Sequence, residues 1–136
     1  MNVKRLVVRV ASVVVVVLAG VAALGAQAQT ASDFYMAYRA AFAKAKAIDQ
    51  MLPMMSKDVR AEIEKTPAAE RPKMFEFVKE MSTAMKNVKV VKETKNDAGV
   101  MLTVEALDGK DKMAGQVQIV KEGDAWKVGK ESWSSK

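Results

Sequence analysis

The chain contains no cysteine and no histidine. Together those absences remove the thiol nucleophile, the commonest general base and the usual zinc and iron ligands. No cofactor is expected, and any enzymatic activity would have to run on carboxylates, tyrosine or lysine. The first residues lack acids as well: Lys4, Arg5 and Arg9 stand there with no Asp or Glu beside them. A nearly unbroken apolar run follows from Val10 to Leu24 and closes on Gly25-Ala26-Gln27-Ala28.

Basic start, apolar middle and small-residue end are the three parts of a cleavable secretory signal, with Ala26 and Ala28 supplying the small-x-small cleavage pattern. The competing reading is a retained membrane anchor. A spanning helix needs about 20 apolar residues, and this run is somewhat shorter. No cysteine follows it, which excludes a lipid-anchored form. Residues 1–28 are therefore expected to be removed on export, leaving 29–136 as one periplasmic or secreted domain that meets a membrane only through the uncleaved leader. Disulfides would be permitted there, so their absence means that packing carries the stability.

A basic block is missing too. The net charge of +6 falls to +3 when Lys4, Arg5 and Arg9 leave with the leader, and the remaining charges are interspersed. Nucleic acid is therefore not an expected partner.

In the mature chain, Thr30-Ala31-Ser32-Asp33 reads as a capping box. Phe34, Tyr38, Ala41, Ala45, Ile48 and Leu52 then recur at helical spacing, giving one helix that stops before Pro53. Ser56 is expected to cap a short second helix through Val59, Ile63 and Glu64. Thr66-Pro67 is expected to open a third, with Met74, Val78, Met81 and Met85 as its buried stripe, ending near Asn87.

From Val88 the period becomes alternating. Turns at Asn96 to Gly99, Asp108 to Asp111 and Glu122-Gly123 separate four strands. The Gly109-Lys110 turn pairs Val100 with Ile119 and Leu102 with Val117. A Glu122-Gly123 turn pairs Ile119 with Trp126 and Val117 with Val128. All these apolar residues then share one sheet face, and the adjacent Val90 and Val91 suggest a bulge in the first strand.

Helices followed by a four-stranded meander give an α+β class. The chain at this point resembles the nuclear transport factor 2-like superfamily, as found in small exported bacterial proteins. The residues carrying the resemblance are Phe34-Tyr35 with Tyr38-Arg39-Ala40, the segment Met51 to Arg60 with its Ser56-x-Asp58-x-Arg60 pattern, and the hairpin Lys121 to Val128. The resemblance implies about three helices on one face of a curved, cone-like antiparallel sheet able to enclose a small ligand. It also implies that relatives divide between binding modules and isomerases or dehydratases that use an Asp with His or Tyr. The missing histidine separates this chain from the enzymes.

The carboxylates follow the same line. Register places Glu105 on the polar face with Thr103, Gln116 and Gln118. Asp33 and Asp49 sit at helix ends, and Asp97, Asp108, Asp111 and Asp124 sit in turns. No carboxylate is expected on the core face, so the expected role is non-catalytic binding. Met51, Met54 and Met55 could offer thioethers to Cu(I), but without His or Cys support they read as core filler. Tyr35, Tyr38 and Trp126 are the candidate ligand-binding residues, Tyr38 either facing a cavity or bonded within the core. Strand parity puts Trp133 on the outer face beside Met101 and Leu107, a surface for a second copy or an envelope protein. A late bulge would instead turn Trp133 inward. A sizeable cavity near Tyr38 would point to a small apolar ligand; a filled interior with an exposed Trp133 would point to a protein partner.

Overall fold

The structure, a computed structural model, describes residues 29–136. Ala26 and Ala28, with the rest of the expected leader, lie outside the described residues. The compact unit Ala31–Lys136 comprises α1 (Ala31–Lys44), two 3-10 turns (Ile48–Gln50 and Leu52–Met54), α2 (Lys57–Glu64), α3 (Arg71–Ala84), then β1 (Met85–Asn96), β2 (Gly99–Asp108), β3 (Asp111–Glu122) and β4 (Ala125–Ser135).

The first helix stops at Lys44, well before Pro53. Ala47 is fully extended, and the chain descends through the two 3-10 turns, dropping Ile48, Met51 and Met55 into the core. Lys79 Nζ donates to the Ala45 carbonyl at 2.6 Å, satisfying an acceptor that the terminating helix leaves open. Ser56 caps α2 as its position suggested, accepting from Val59 N at 3.3 Å. Arg60 donates to the Met55 carbonyl at 2.6 Å and lies 3.5 Å from Glu122, so the Ser-x-Asp-x-Arg segment ties α2 to the last hairpin. The Thr66-Pro67 start is corrected to Arg71. Pro67 to Glu70 forms a turn, and Pro72 occupies the first helical turn, where a missing N–H costs nothing.

The four strands form one antiparallel sheet in the order β1-β2-β3-β4. Val100 pairs with Ile119 and Leu102 with Val117, as the Gly109-Lys110 turn required. The last hairpin is corrected by two residues: its turn is Gly123-Asp124, so Ile119 pairs with Val128 and Trp126 with Lys121. Gly123 sits at φ 64°, a conformation that glycine adopts without a Cβ penalty. A shift of two preserves the faces, so Val128 still points to the helices. In β1, register shifts between Lys86 and Lys89 and between Val90 and Lys92 let Val91 stand 47 % exposed.

The cone-like description is overturned. Three helices do pack against a four-stranded antiparallel sheet, but that sheet is open and not strongly curled, with β1 and β4 as unjoined edges. Closure needs β1 and β4 to approach each other, and nothing in the local alternation of either strand encodes that. Part of the β4 edge is covered instead by the helical segment: Met55 bridges Val128, and Ser56 N donates to the Val128 carbonyl at 2.9 Å.

The core lies between α1 and the sheet. Tyr35, Leu102, Val104, Val117 and Ile119 are completely buried, and the rings of Phe42 and Phe75 meet at a tilt, 5.4 Å apart, between α1 and α3.

Candidate ligand-binding site

Beside this core the helices do not close. A cavity of about 470 Å³ opens between α3, α2 and β4. Its walls are mostly apolar: Phe42, Ile48, Met55, Val59 and Ile63 on one side, Met74, Val78 and Met81 from α3 with Met85 at the start of β1, and Val128 and Trp133 from β4. The α3 stripe is therefore not buried as its spacing suggested. Val78 is 42 % and Met81 51 % exposed, because the face that periodicity assigned to the core looks into an open cleft.

Strand β4 supplies the polar end, and a bulge makes it do so. Val117 pairs with Glu131 and Ile119 with Val128, so β4 carries one residue more than β3 across Gly129-Lys130. One extra residue exchanges the two faces of a strand. Beyond it Glu131 and Trp133 point toward the helices, where uninterrupted alternation would have aimed them outward. Gly115 makes room for the indole: a Cβ there would lie 2.7 Å from Trp133 Cδ2.

Of the two placements open for Trp133, the inward one through a late bulge is found: it does not share a face with Met101 and Leu107, and it lines the cavity and packs against the core. One expectation is corrected. A carboxylate does stand on the helix-facing side of the sheet: Glu131, which register alone had not placed there. The signal that could have found it is Gly129 within a strand, a common mark of a bulge or of close backbone approach. A Cβ on Gly129 would meet the Gln118 carbonyl at 2.9 Å.

Glu131 Oε1 accepts from the Tyr35 hydroxyl at 2.9 Å and from Trp133 Nε1 at 2.7 Å. Arg39 Nη1 is 3.9 Å from the same oxygen, and Arg39 Nη2 donates to the Ser82 carbonyl at 3.0 Å. Hydrogen bonds to a charged acceptor are worth about 1.5–3 kcal/mol, whereas a long, partly solvated ion pair is worth about 0–1 kcal/mol. Tyr35 and Trp133 thus hold the carboxylate, and Arg39 mainly balances its charge while tying α1 to α3. Burial first, and the Glu131 charge second, keep both Tyr35 and Tyr38 protonated well above the usual tyrosine range.

The two tyrosines differ in one respect. Tyr35 is buried and bonded to Glu131. Tyr38, 8 % exposed, stacks on Tyr35, meets Phe42 at a tilt and lines the cavity. Its hydroxyl has no hydrogen-bond partner among the described residues. Among the described residues no sealed side-chain polar atom lacks a partner, so this hydroxyl is one that an adjoining space can reach.

The remaining candidates lie elsewhere. Trp126 is half-buried near the hairpin end, with Lys121 Nζ 4.9 Å above its ring, and is not in the cavity wall. Met101 and Leu107 are half-buried on the outer sheet face among polar neighbours. Glu105 is on that face too, contacted by Lys136 and Lys89, and Lys136 holds its carboxyl below the usual range. Met51 and Met55 are core residues, and Met54 packs against the same cluster. Among the described residues no three Asp or Glu side chains gather as a metal site, and no helix is long and apolar enough to cross a membrane.

Comparison with curated proteins and with solved structures returns no match. A family model does match, over residues 25–129, which takes in both walls of the cavity except Lys130, Glu131 and Trp133. By that match, this chain belongs to the domain-of-unknown-function family DUF4878.

Proposed function

We propose that this protein is an exported, non-catalytic binding domain that holds a small apolar ligand in the cleft between α3 and β4. The observation carrying this reading is the cavity of about 470 Å³ with Tyr38 and Trp133 in its wall. Ligand sites are typically concave, mainly apolar spaces of roughly 300–1,000 Å³ with a few convergent polar groups. Four methionines in the wall add adaptability, since their flexible thioethers repack around different shapes. The order of helices and strands supports a relationship to the nuclear transport factor 2-like superfamily, with an open sheet in place of a cone. Export, with cleavage after Ala28 and a periplasmic or secreted destination, rests on the leader pattern. The compact unit begins at Ala31, just past that site.

Titration of the purified protein with an apolar naphthylamine dye tests the reading. Saturable one-to-one binding is expected, abolished by Val78→Trp, which fills the cleft from α3. Binding that persists unchanged in Val78→Trp would place the dye elsewhere and end the proposal.

A further inference from the structure

We infer that the cavity selects an uncharged amphiphile, an aliphatic or ring body ending in one hydroxyl or carbonyl oxygen, and that this oxygen hydrogen-bonds to Tyr38. The inference rests on the reading of the cleft as a ligand site and adds the chemistry of its occupant.

Three features converge on that class. Tyr38 is more than nine-tenths buried, lines the cavity, and has no partner for its hydroxyl among the described residues. Its neighbour Tyr35, one position before a helical turn is complete, has its hydroxyl committed to Glu131. In the free protein, water entering the open cleft serves the Tyr38 hydroxyl. A pure hydrocarbon would displace that water and leave the hydroxyl bare, whereas a ligand oxygen replaces it.

Charge selects against ionic heads. A carboxylate would need a free buried cation. Arg39 is already opposite Glu131 and bonded to the Ser82 carbonyl, and Glu131 itself repels an anion. Lys130 is exposed at the rim, where its charge is screened. An ammonium head fares no better, because Arg39 already balances Glu131, and stripping a cation of water against methionine and valine walls is costly. An uncharged oxygen meets neither penalty.

Competition against a bound apolar dye separates the possibilities, using decane, decanol, decanone, decanoate and decylammonium at neutral pH. Decanol and decanone are expected to displace the dye at concentrations about tenfold below decanoate and decylammonium. Tyr38→Phe should weaken decanol roughly three- to tenfold, the worth of one hydrogen bond, and tighten decane, which no longer strands a hydroxyl. Retained decane binding also shows that the variant is folded. Tighter binding of either ion than of decanol in the wild type overturns the inference whatever the variant does. An unaltered ratio of decanol to decane affinity in Tyr38→Phe overturns the role of Tyr38. If dye and decane both fail to bind, the cleft is not a ligand site and the underlying reading falls with this one.

Discussion

Helices α1 and α3 have the same length, and they meet the rest of the molecule in opposite ways. On α1 the apolar face is covered: Tyr35 is completely buried and Phe42 nearly so. On α3 only Phe75 is buried, while Phe77, Val78 and Met81 stand 62 %, 42 % and 51 % exposed. One helix buries its apolar surface in the fold; the other leaves Val78 and Met81 at the cleft and Phe77 outside it. Burial on the α1 side removes apolar area from water and stabilises the domain by about 25 cal/mol per Å². The α3 side contributes little of that until something enters the cleft. The division separates residues that should matter for stability from residues that should matter for binding.

The largest effect is expected where α1 meets the sheet. Leu102 is completely buried beneath it, so Leu102→Ala should destabilise the domain by about 2–5 kcal/mol in denaturant unfolding. A loss below about 1 kcal/mol would show that the core is not where it is drawn. Next comes the hinge between the two regions, Glu131. Replacing it by Gln removes the charge from two hydrogen bonds, from Tyr35 and Trp133, and a cost of about 1–3 kcal/mol is expected. Trp133 fluorescence should shift toward that of a solvated indole.

A third effect depends on pH. Tyr35 and Tyr38 are the only tyrosines in the chain, and both are held protonated above the ordinary tyrosine value of 10.0. Their folded-state pKa lies above the unfolded one, so their contribution is complete below pH 10 and is lost as pH rises beyond it. Stability should therefore be insensitive to these groups near neutrality and fall above about pH 10 by up to about 1.4 kcal/mol per pH unit for each tyrosine. Tyrosinate absorbance, which reads these two alone, should appear only with unfolding. The smallest effect is expected on α3: Val78→Ala and Met81→Ala should change stability by less than about 0.5 kcal/mol while weakening dye binding severalfold. A large loss of stability in either variant would erase the contrast between the two helices.

How far the sequence discloses this arrangement differs by region. The β2–β3 hairpin was legible because its two-residue turn and strict alternation fix register and face together, with Leu102 opposite Val117. Ser56 was legible as a cap because its role is local. The end of β4 was not, since a single extra residue at Gly129-Lys130 reverses the orientation of Glu131 and Trp133, and alternation cannot register an insertion. Nor could the α3 stripe reveal its exposure: helical spacing identifies a face, and only tertiary packing decides whether another element covers it. The curved cone failed for a related reason. Closing a sheet is a relation between β1 and β4, and each strand alone carries only its own pattern.

A binding role for this domain requires that the cleft be the place where it receives a ligand. Methionine methyl resonances test that directly, because Met55, Met74, Met81 and Met85 line the cleft, whereas Met36 and Met101 do not. On addition of decanol the four cleft methyls should shift saturably together while those of Met36 and Met101 stay in place. Four unmoved cleft methyls, or shifts confined to Met36 or to Met101 on the outer sheet face, would contradict it.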